Sequence, residues 1–195
     1  MKKRIFILSI ALILVLVCLA ACNTYQAKLD EINKLLKVSY SKVEITVTTE
    51  KSGVTLNGEY TLTFDGTKTL IDYKYEELNE LSMNGDNAMK KTWEGTAVVQ
   101  NGVVVSNSQE VNLNTQQLDF TGLSFKTSFF GKATATSGEF NANVKTPKGF
   151  LGYSDFSGSN MHVKVTYSTE SISEIILNYT SANGAKIEIV YQLTV

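Results

Sequence analysis

The stretch that decides the fold is residues 54–75, VTLNGEYTLTFDGTKTLIDYKY. Apolar residues occupy alternate positions on both sides of Asp65-Gly66, and this alternation is typical of strands with one buried face. An Asp-Gly pair between two such runs predicts a β-hairpin, because a type I′ turn needs positive φ at both central residues. The stretch therefore predicts two long antiparallel strands joined by a tight turn.

The same period of two recurs along most of the chain after Tyr40. Further hairpins are predicted across Asn101-Gly102 and Asn183-Gly184. Other segments that alternate in this way are 43–47, 140–144 and 161–167. Residues 76–81 fit either a strand end or a short helix, and 118–130 show neither period. Residues 83–87 and 148–159 are expected to be loops.

One helix is predicted, at about residues 24–37. Tyr25, Leu29, Ile32 and Leu36 recur at helical spacing with charged residues between them. The apolar stripe of this helix would pack on the sheet, or alternatively lie in a lipid interface.

Consecutive hairpins with one polar face predict an antiparallel meander. About nine to eleven strands of this length should twist and curl. The predicted fold class is therefore mainly β (α+β): a strongly curved antiparallel sheet, or half-barrel, with one N-terminal helix packed on it. A β-sandwich is the alternative.

The first 22 residues have the three parts of an export signal. Lys2, Lys3 and Arg4 precede an apolar run, which ends on Leu19-Ala20-Ala21-Cys22. About 17 apolar residues would also approach the lower limit for a transmembrane anchor. The small residues before Cys22 favour cleavage instead. We therefore expect a signal peptide at 1–21 and a single β-rich extracytoplasmic domain at 22–195.

The Leu-Ala-Ala-Cys ending resembles the bacterial lipobox. The resemblance implies that Cys22 receives diacylglycerol, and commonly a further palmitate, and becomes the first residue of the mature lipoprotein. Two or three acyl chains hold a protein on a membrane nearly permanently. The expected location is the cell membrane, lipid-anchored and facing outside the cytoplasm.

Composition limits the other partners. Cys18 would leave with the leader and Cys22 would carry lipid, so no thiol remains for a disulfide or a zinc site. After the leader, 15 basic residues stand against 19 acidic ones. No basic stripe appears, so no nucleic-acid partner is expected. The sequence does not identify a protein partner.

No residue pattern predicts catalysis, a cofactor or a metal, and we do not expect an enzyme. His162, the only histidine, falls on the polar face of a predicted strand. A pair of carboxylates among Asp72, Glu76, Glu77 and Glu80 could serve a glycosidase, but a solvated acidic rim explains them as well.

Aromatic side chains are the remaining candidates for a binding site. They could line a cavity for an apolar ligand or fill an ordinary core. The candidates are Tyr60, Phe64, Tyr73, Tyr75, Trp93, Phe120, Phe125, Phe129, Phe130, Tyr179 and Tyr191.

A helix directly after the anchor, followed by long hairpins such as 58–75 and 175–193, resembles the half-barrel lipid-binding lipoproteins of the LolA, LolB and LppX-like group. That resemblance implies a curved sheet enclosing a cavity for acyl chains. The function expected from it is binding of a lipid or other apolar ligand. The alternative is a surface interaction or structural lipoprotein with no ligand cavity.

Overall fold

The computed structural model describes residues 25–79, 89–109 and 113–195. The expected leader and Cys22 lie outside these residues, as do Glu80, the expected loop at 83–87 and the predicted strand end at Val111. Among the described residues, no helix combines the length and the apolar character needed to cross a bilayer.

Ten strands and three short α-helices follow one another along the described chain. The strands are β1 (Lys42–Lys51), β2 (Val54–Asp65), β3 (Lys68–Asn79), β4 (Met89–Gln100), β5 (Val103–Asn107), β6 (Phe130–Ala135), β7 (Glu139–Val144), β8 (Ser159–Tyr167), β9 (Ile172–Thr180) and β10 (Lys186–Thr194). The helices are α1 (25–35), α2 (Thr115–Leu118) and α3 (Pro147–Leu151), with a 3₁₀ turn at Thr127–Phe129.

All ten strands belong to one sheet in the order β5-β4-β3-β2-β1-β10-β9-β8-β7-β6. Every neighbouring pair is antiparallel. The sheet consists of two meanders, β1–β5 and β6–β10, which the pairing of β1 with β10 joins at the centre. The predicted mainly β fold is confirmed, and the β-sandwich alternative is wrong because one continuous sheet contains every strand.

The turns show how far local sequence determines register. Asn101 and Gly102 have φ of 52° and 76°, as the predicted type I′ turn requires. At the first hairpin, however, Asp65 pairs with Lys68, so Gly66 and Thr67 form the turn, one residue later than predicted. Gly66 alone has positive φ there (60°), which is the arrangement of a type II′ turn.

Two further expectations about connections need correction. The last hairpin has no two-residue turn, because β9 ends at Thr180 and β10 begins at Lys186. The Ser181 hydroxyl accepts a hydrogen bond from the Ala185 N–H (3.1 Å) and closes this longer loop. The expected loop at 148–159 begins within helix α3. Pro147 suits its first turn, and Gly152 ends it at φ 77°.

The core lies on one face of the sheet, which we call the inner face. Helix α1 covers part of this face and buries Leu29 and Ile32 completely. The irregular segment at 113–130 covers another part and buries Leu118, Phe120 and Phe125. Strands from both meanders contribute to this single core. The helix thus packs on the sheet, the first of the two arrangements expected for it.

One side chain of α1 holds the irregular segment in place. The Asn33 side chain donates a hydrogen bond to the Phe125 carbonyl (2.7 Å) and accepts one from the Phe125 N–H (2.9 Å). Phe125 itself is fully buried. Asn33 therefore satisfies two main-chain groups that water does not reach.

We expect Asn33→Ala to lower the free energy of unfolding by about 2 kcal/mol, because it leaves both Phe125 main-chain groups unpaired. Urea denaturation of the chain from residue 23 onward measures the change. Gln26→Ala on the same helix is the control, since Gln26 bonds only to Asp30 at the surface. Equal effects of the two substitutions would contradict this role of Asn33.

Candidate functional site

Three of the candidate tyrosines form a cluster on the inner face. Tyr60 lies directly opposite Tyr73 across β2 and β3. The Tyr60 hydroxyl donates a hydrogen bond to the Tyr75 hydroxyl (2.5 Å), and the Tyr73 hydroxyl donates to Asn107 Oδ1 (2.6 Å). Burial, together with the hydrogen bond to Tyr75, raises the pKa of Tyr60 well above its ordinary value. These phenols therefore stay neutral.

Glycines allow two of these rings to lie down on the sheet. A Cβ on Gly95 would stand 2.5 Å from the Tyr73 hydroxyl oxygen, and one on Gly58 would stand 2.7 Å from that of Tyr60. No side chain other than glycine leaves such space. Tyr60 and Tyr73 consequently cover the main chain instead of projecting into a void.

The candidate phenylalanines of the other meander also fill the core. Phe125 is surrounded by Phe130, Phe140 and Phe150, with ring centroids 5.7, 5.6 and 5.3 Å away. Phe125, Phe140 and Phe150 have no exposed surface. This aromatic cluster packs solidly beneath α1 and offers no space to a ligand.

A cavity of about 370 Å³ lies at the other side of the core. One wall is the inner face of β2, β3 and β4, near the β2–β3 turn. Its side chains are mostly apolar and comprise Leu62, Phe64, Thr69, Ile71 and Val99. Alternation along these strands brings them to one face, and the antiparallel register sets them side by side.

The opposite wall is the irregular segment that begins at α2. Leu118 and Phe120 supply its apolar side chains, while Thr115, Gln116, Asp119 and Thr121 add polar groups. The Phe120 ring meets the ring of Tyr40 edge-on (5.7 Å) and also contacts Tyr191 (6.1 Å). Those contacts fix the inner wall of the cavity.

Tertiary hydrogen bonds hold α2, which at four residues is too short to be stable by itself. Tyr191 donates to the Gln117 carbonyl (2.8 Å), and the Gln117 side chain donates to the Tyr179 hydroxyl (3.0 Å). Two of the candidate tyrosines thus position the cavity wall and do not line this cavity.

The polar side of the cavity combines a phenol with a carboxylate. Tyr153 donates a hydrogen bond to the Gln116 carbonyl. Asp119 Oδ1 accepts hydrogen bonds from the Thr121 N–H (2.9 Å) and hydroxyl (2.6 Å). Burial, and secondarily the nearby Asp119 carboxylate, raise the pKa of Tyr153. The carboxylate therefore acts electrostatically on the Tyr153 hydroxyl.

Of the eleven aromatic candidates, Phe64 and Phe120 line this cavity. Tyr179 and Tyr191 line a smaller one of about 70 Å³ beneath α2. Tyr60 and Tyr73 border a wide depression of about 760 Å³, but most of its other side chains are polar or charged. Tyr75, Phe125, Phe129, Phe130 and Trp93 line none of these three, and Trp93 is 39% exposed.

The residues considered for catalysis do not converge. His162 lies on the outer face and bonds to Asn141 Oδ1 (2.7 Å). Glu76 bridges Lys74 (3.2 Å) and Lys90 (2.9 Å), and these hydrogen-bonded lysines lower the pKa of Glu76. In the part of the chain described, no three His, Cys, Asp or Glu side chains stand together as a metal site would require.

Sequence patterns alone did not predict Leu118, Asp119 and Tyr153 as site residues. They lie in segments without a strand or helix period, so alternation gives no sign of which face they occupy. The nearest signal is Asp119-x-Thr121, a spacing at which an aspartate often bonds to the main chain two residues on. That signal indicates a turn and says nothing of a cavity.

No protein-family model matches the chain, and no curated protein matches it. The structures similar to it include a redesigned beta barrel, mFAP1, bound to DFHBI, at 13% identity over 82% of this chain and 96% of that one. They also include the dehydratase domain from the terminal module of the rifamycin polyketide synthase, at 11% identity over 78% and 74% of the two chains. Both TM-scores are 0.22, too low to support an argument.

Proposed function

We propose that this protein is a membrane-anchored extracytoplasmic lipoprotein that binds a lipid or other apolar ligand. The anchor is diacylglycerol on Cys22, and the ligand's apolar chain occupies the cavity between strands β2–β4 and the segment that begins at α2. The observation that carries the proposal is the cavity itself. Its volume of about 370 Å³ and its mostly apolar lining suit a small apolar ligand.

The position of the cavity supports the same function. Cys22 precedes α1 by three residues, which span at most about 11 Å. The chain then enters β1 at Lys42, which pairs with Thr63. Thr63 stands between the cavity-lining residues Leu62 and Phe64. An anchor so close to the domain keeps this site within reach of membrane lipids.

We expect Thr69→Trp to abolish ligand retention, because an indole on the inner face of β3 would fill the cavity while suiting a strand. Native mass spectrometry of the membrane-extracted full chain measures non-covalent lipid as mass that is lost on denaturation. Covalent lipid on Cys22 survives denaturation and is thereby distinguished. The wild type should carry one non-covalent lipid, and Thr69→Trp none.

Thr63→Trp is the matched control. Thr63 is exposed and adjoins Leu70 on the neighbouring strand, on the opposite face of the sheet. The same indole there leaves the cavity open, so lipid retention should persist. Absence of non-covalent lipid from the wild type, or its equal retention in both variants, would contradict the proposed site.

A surface interaction lipoprotein is the second candidate, favoured by the edge strand β5. Val103 and Val105 are 63% and 57% exposed, and β5 carries no charged residue. An uncharged edge strand with exposed valines is suited to pairing with a strand of another protein. A protein captured through β5, with an empty cavity in the native spectrum, would favour this alternative.

A further inference from the structure

The cavity has an asymmetric charge. Its apolar wall consists of strand side chains, whereas its polar side consists of Thr115, Gln116, Asp119 and Thr121. Asp119 is the one ionisable carboxylate among the described lining residues, and no Lys, Arg or His is among them. An exposed aspartate is ionised at neutral pH, so the polar side carries net negative charge.

The Asp119 carboxylate has room for another partner. Both of its hydrogen bonds from described residues go to Oδ1, from the Thr121 N–H and hydroxyl. These bonds fix the orientation of the carboxylate and leave Oδ2 without a hydrogen bond from those residues. The nearest lysine along the strand wall, Lys68, pairs with Asp65 across the hairpin and does not line the cavity.

We infer that the cavity takes an amphiphile with one apolar chain and a positively charged headgroup, and that Asp119 is the residue that selects the charge. This inference rests on the proposed function and specifies its ligand class. The chain would lie against Leu62, Ile71 and Phe120, and the headgroup would meet Asp119 Oδ2. A negatively charged headgroup in the same place would be repelled.

The size of the preference follows from exposure. Two unit charges about 4 Å apart interact by roughly 1 kcal/mol in water, which corresponds to about a five-fold change in affinity. Attraction of a cation and repulsion of an anion act in opposite directions. A cationic amphiphile should therefore bind at least about five-fold more tightly than an anionic one of equal chain length. Added salt should reduce the ratio.

Three twelve-carbon probes test the inference by calorimetric titration of the full chain, held in a nonionic amphipol. The probes are dodecyltrimethylammonium, 1-lauroylglycerol and laurate, each used below its micelle concentration. We expect affinity to fall in that order. Asp119→Asn should bring the affinities for the cationic and anionic probes together, while affinity for 1-lauroylglycerol stays unchanged.

Asp155→Asn is the control, because Asp155 is an exposed carboxylate nearby in the chain that does not line the cavity. It should keep the wild-type order. Equal binding of the three probes, or a preference for laurate, would overturn the charge inference and leave the proposed function standing. Failure of every probe to bind would overturn both. A loss of preference in Asp155→Asn but not in Asp119→Asn would show that the assigned carboxylate is wrong.

Discussion

Phe125→Ala is expected to lower the free energy of unfolding by about 3–5 kcal/mol, close to the whole stability of many domains. Phe125 is fully buried and contacts three other phenylalanine rings, so truncation leaves a cavity at the centre of the aromatic cluster. Its main chain is also held by Asn33, which limits how far the segment can collapse into the space. Urea denaturation of the chain from residue 23 onward measures the loss.

Phe129→Ala provides the control of identical chemistry. Phe129 lies only four residues away but is partly exposed, with the Lys126 ammonium 5.5 Å from its ring centroid. Removing a partly solvated ring should cost about 1 kcal/mol. A cost for Phe125→Ala no larger than that for Phe129→Ala would mean that the cluster is not the centre of the core.

Cys22→Ala is expected to abolish incorporation of radiolabelled palmitate completely. The cysteine thiol is the atom that the lipobox resemblance assigns to diacylglycerol, and alanine offers no nucleophile. Each methylene of an acyl chain contributes about 0.8 kcal/mol to membrane binding, so the loss of two or three chains removes the anchor. The measurement is fluorography of cells grown with labelled palmitate, supported by the intact mass of the processed protein.

Cys18→Ala separates this expectation from any general effect of cysteine loss. Cys18 lies within the expected leader, so its replacement should leave labelling unchanged. Label retained in Cys22→Ala, or lost in Cys18→Ala, would refute lipidation at Cys22. The leader remains a prediction from the sequence, because these residues lie outside those that the structure describes.

Much of the sheet could be predicted from the period of two. Alternation at Val43, Ile45 and Val47, and again across residues 54–75, identified strands that the structure confirms. Turn chemistry was less decisive. Gly66 can supply the positive φ of either hairpin turn, so Asp65-Gly66 indicated a turn without fixing its register to a single residue.

The roles of the aromatic residues required knowledge of register. Tyr73 lies over Gly95 because β3 and β4 pair them, and no local pattern reveals a contact across 22 residues. Several tyrosines that looked suited to a cavity therefore cover glycines or position main chain. Residue type indicated apolar surface, whereas cross-strand neighbours decided what each ring covers.

The cavity wall was beyond prediction for a related reason. Phe120 and Phe125 belong to a segment with no regular period, and its place is set by distant partners. Asn33 bonds to Phe125 over 92 residues, and Tyr191 bonds to the Gln117 carbonyl over 74. Local propensity does not encode such contacts, so a segment that indicated only an aromatic-rich region became one wall of the candidate site.

The central pairing of β1 with β10 also dictates the order of assembly. Val43 meets Leu193 across about 150 residues, so a chain emerging from its N-terminus can form the first meander long before the seam between the halves closes. Contacts over such separations form slowly, and until then β1 presents a bare edge. Loss of the last ten residues would leave two half-sheets sharing no ladder, each vulnerable to aggregation and proteolysis.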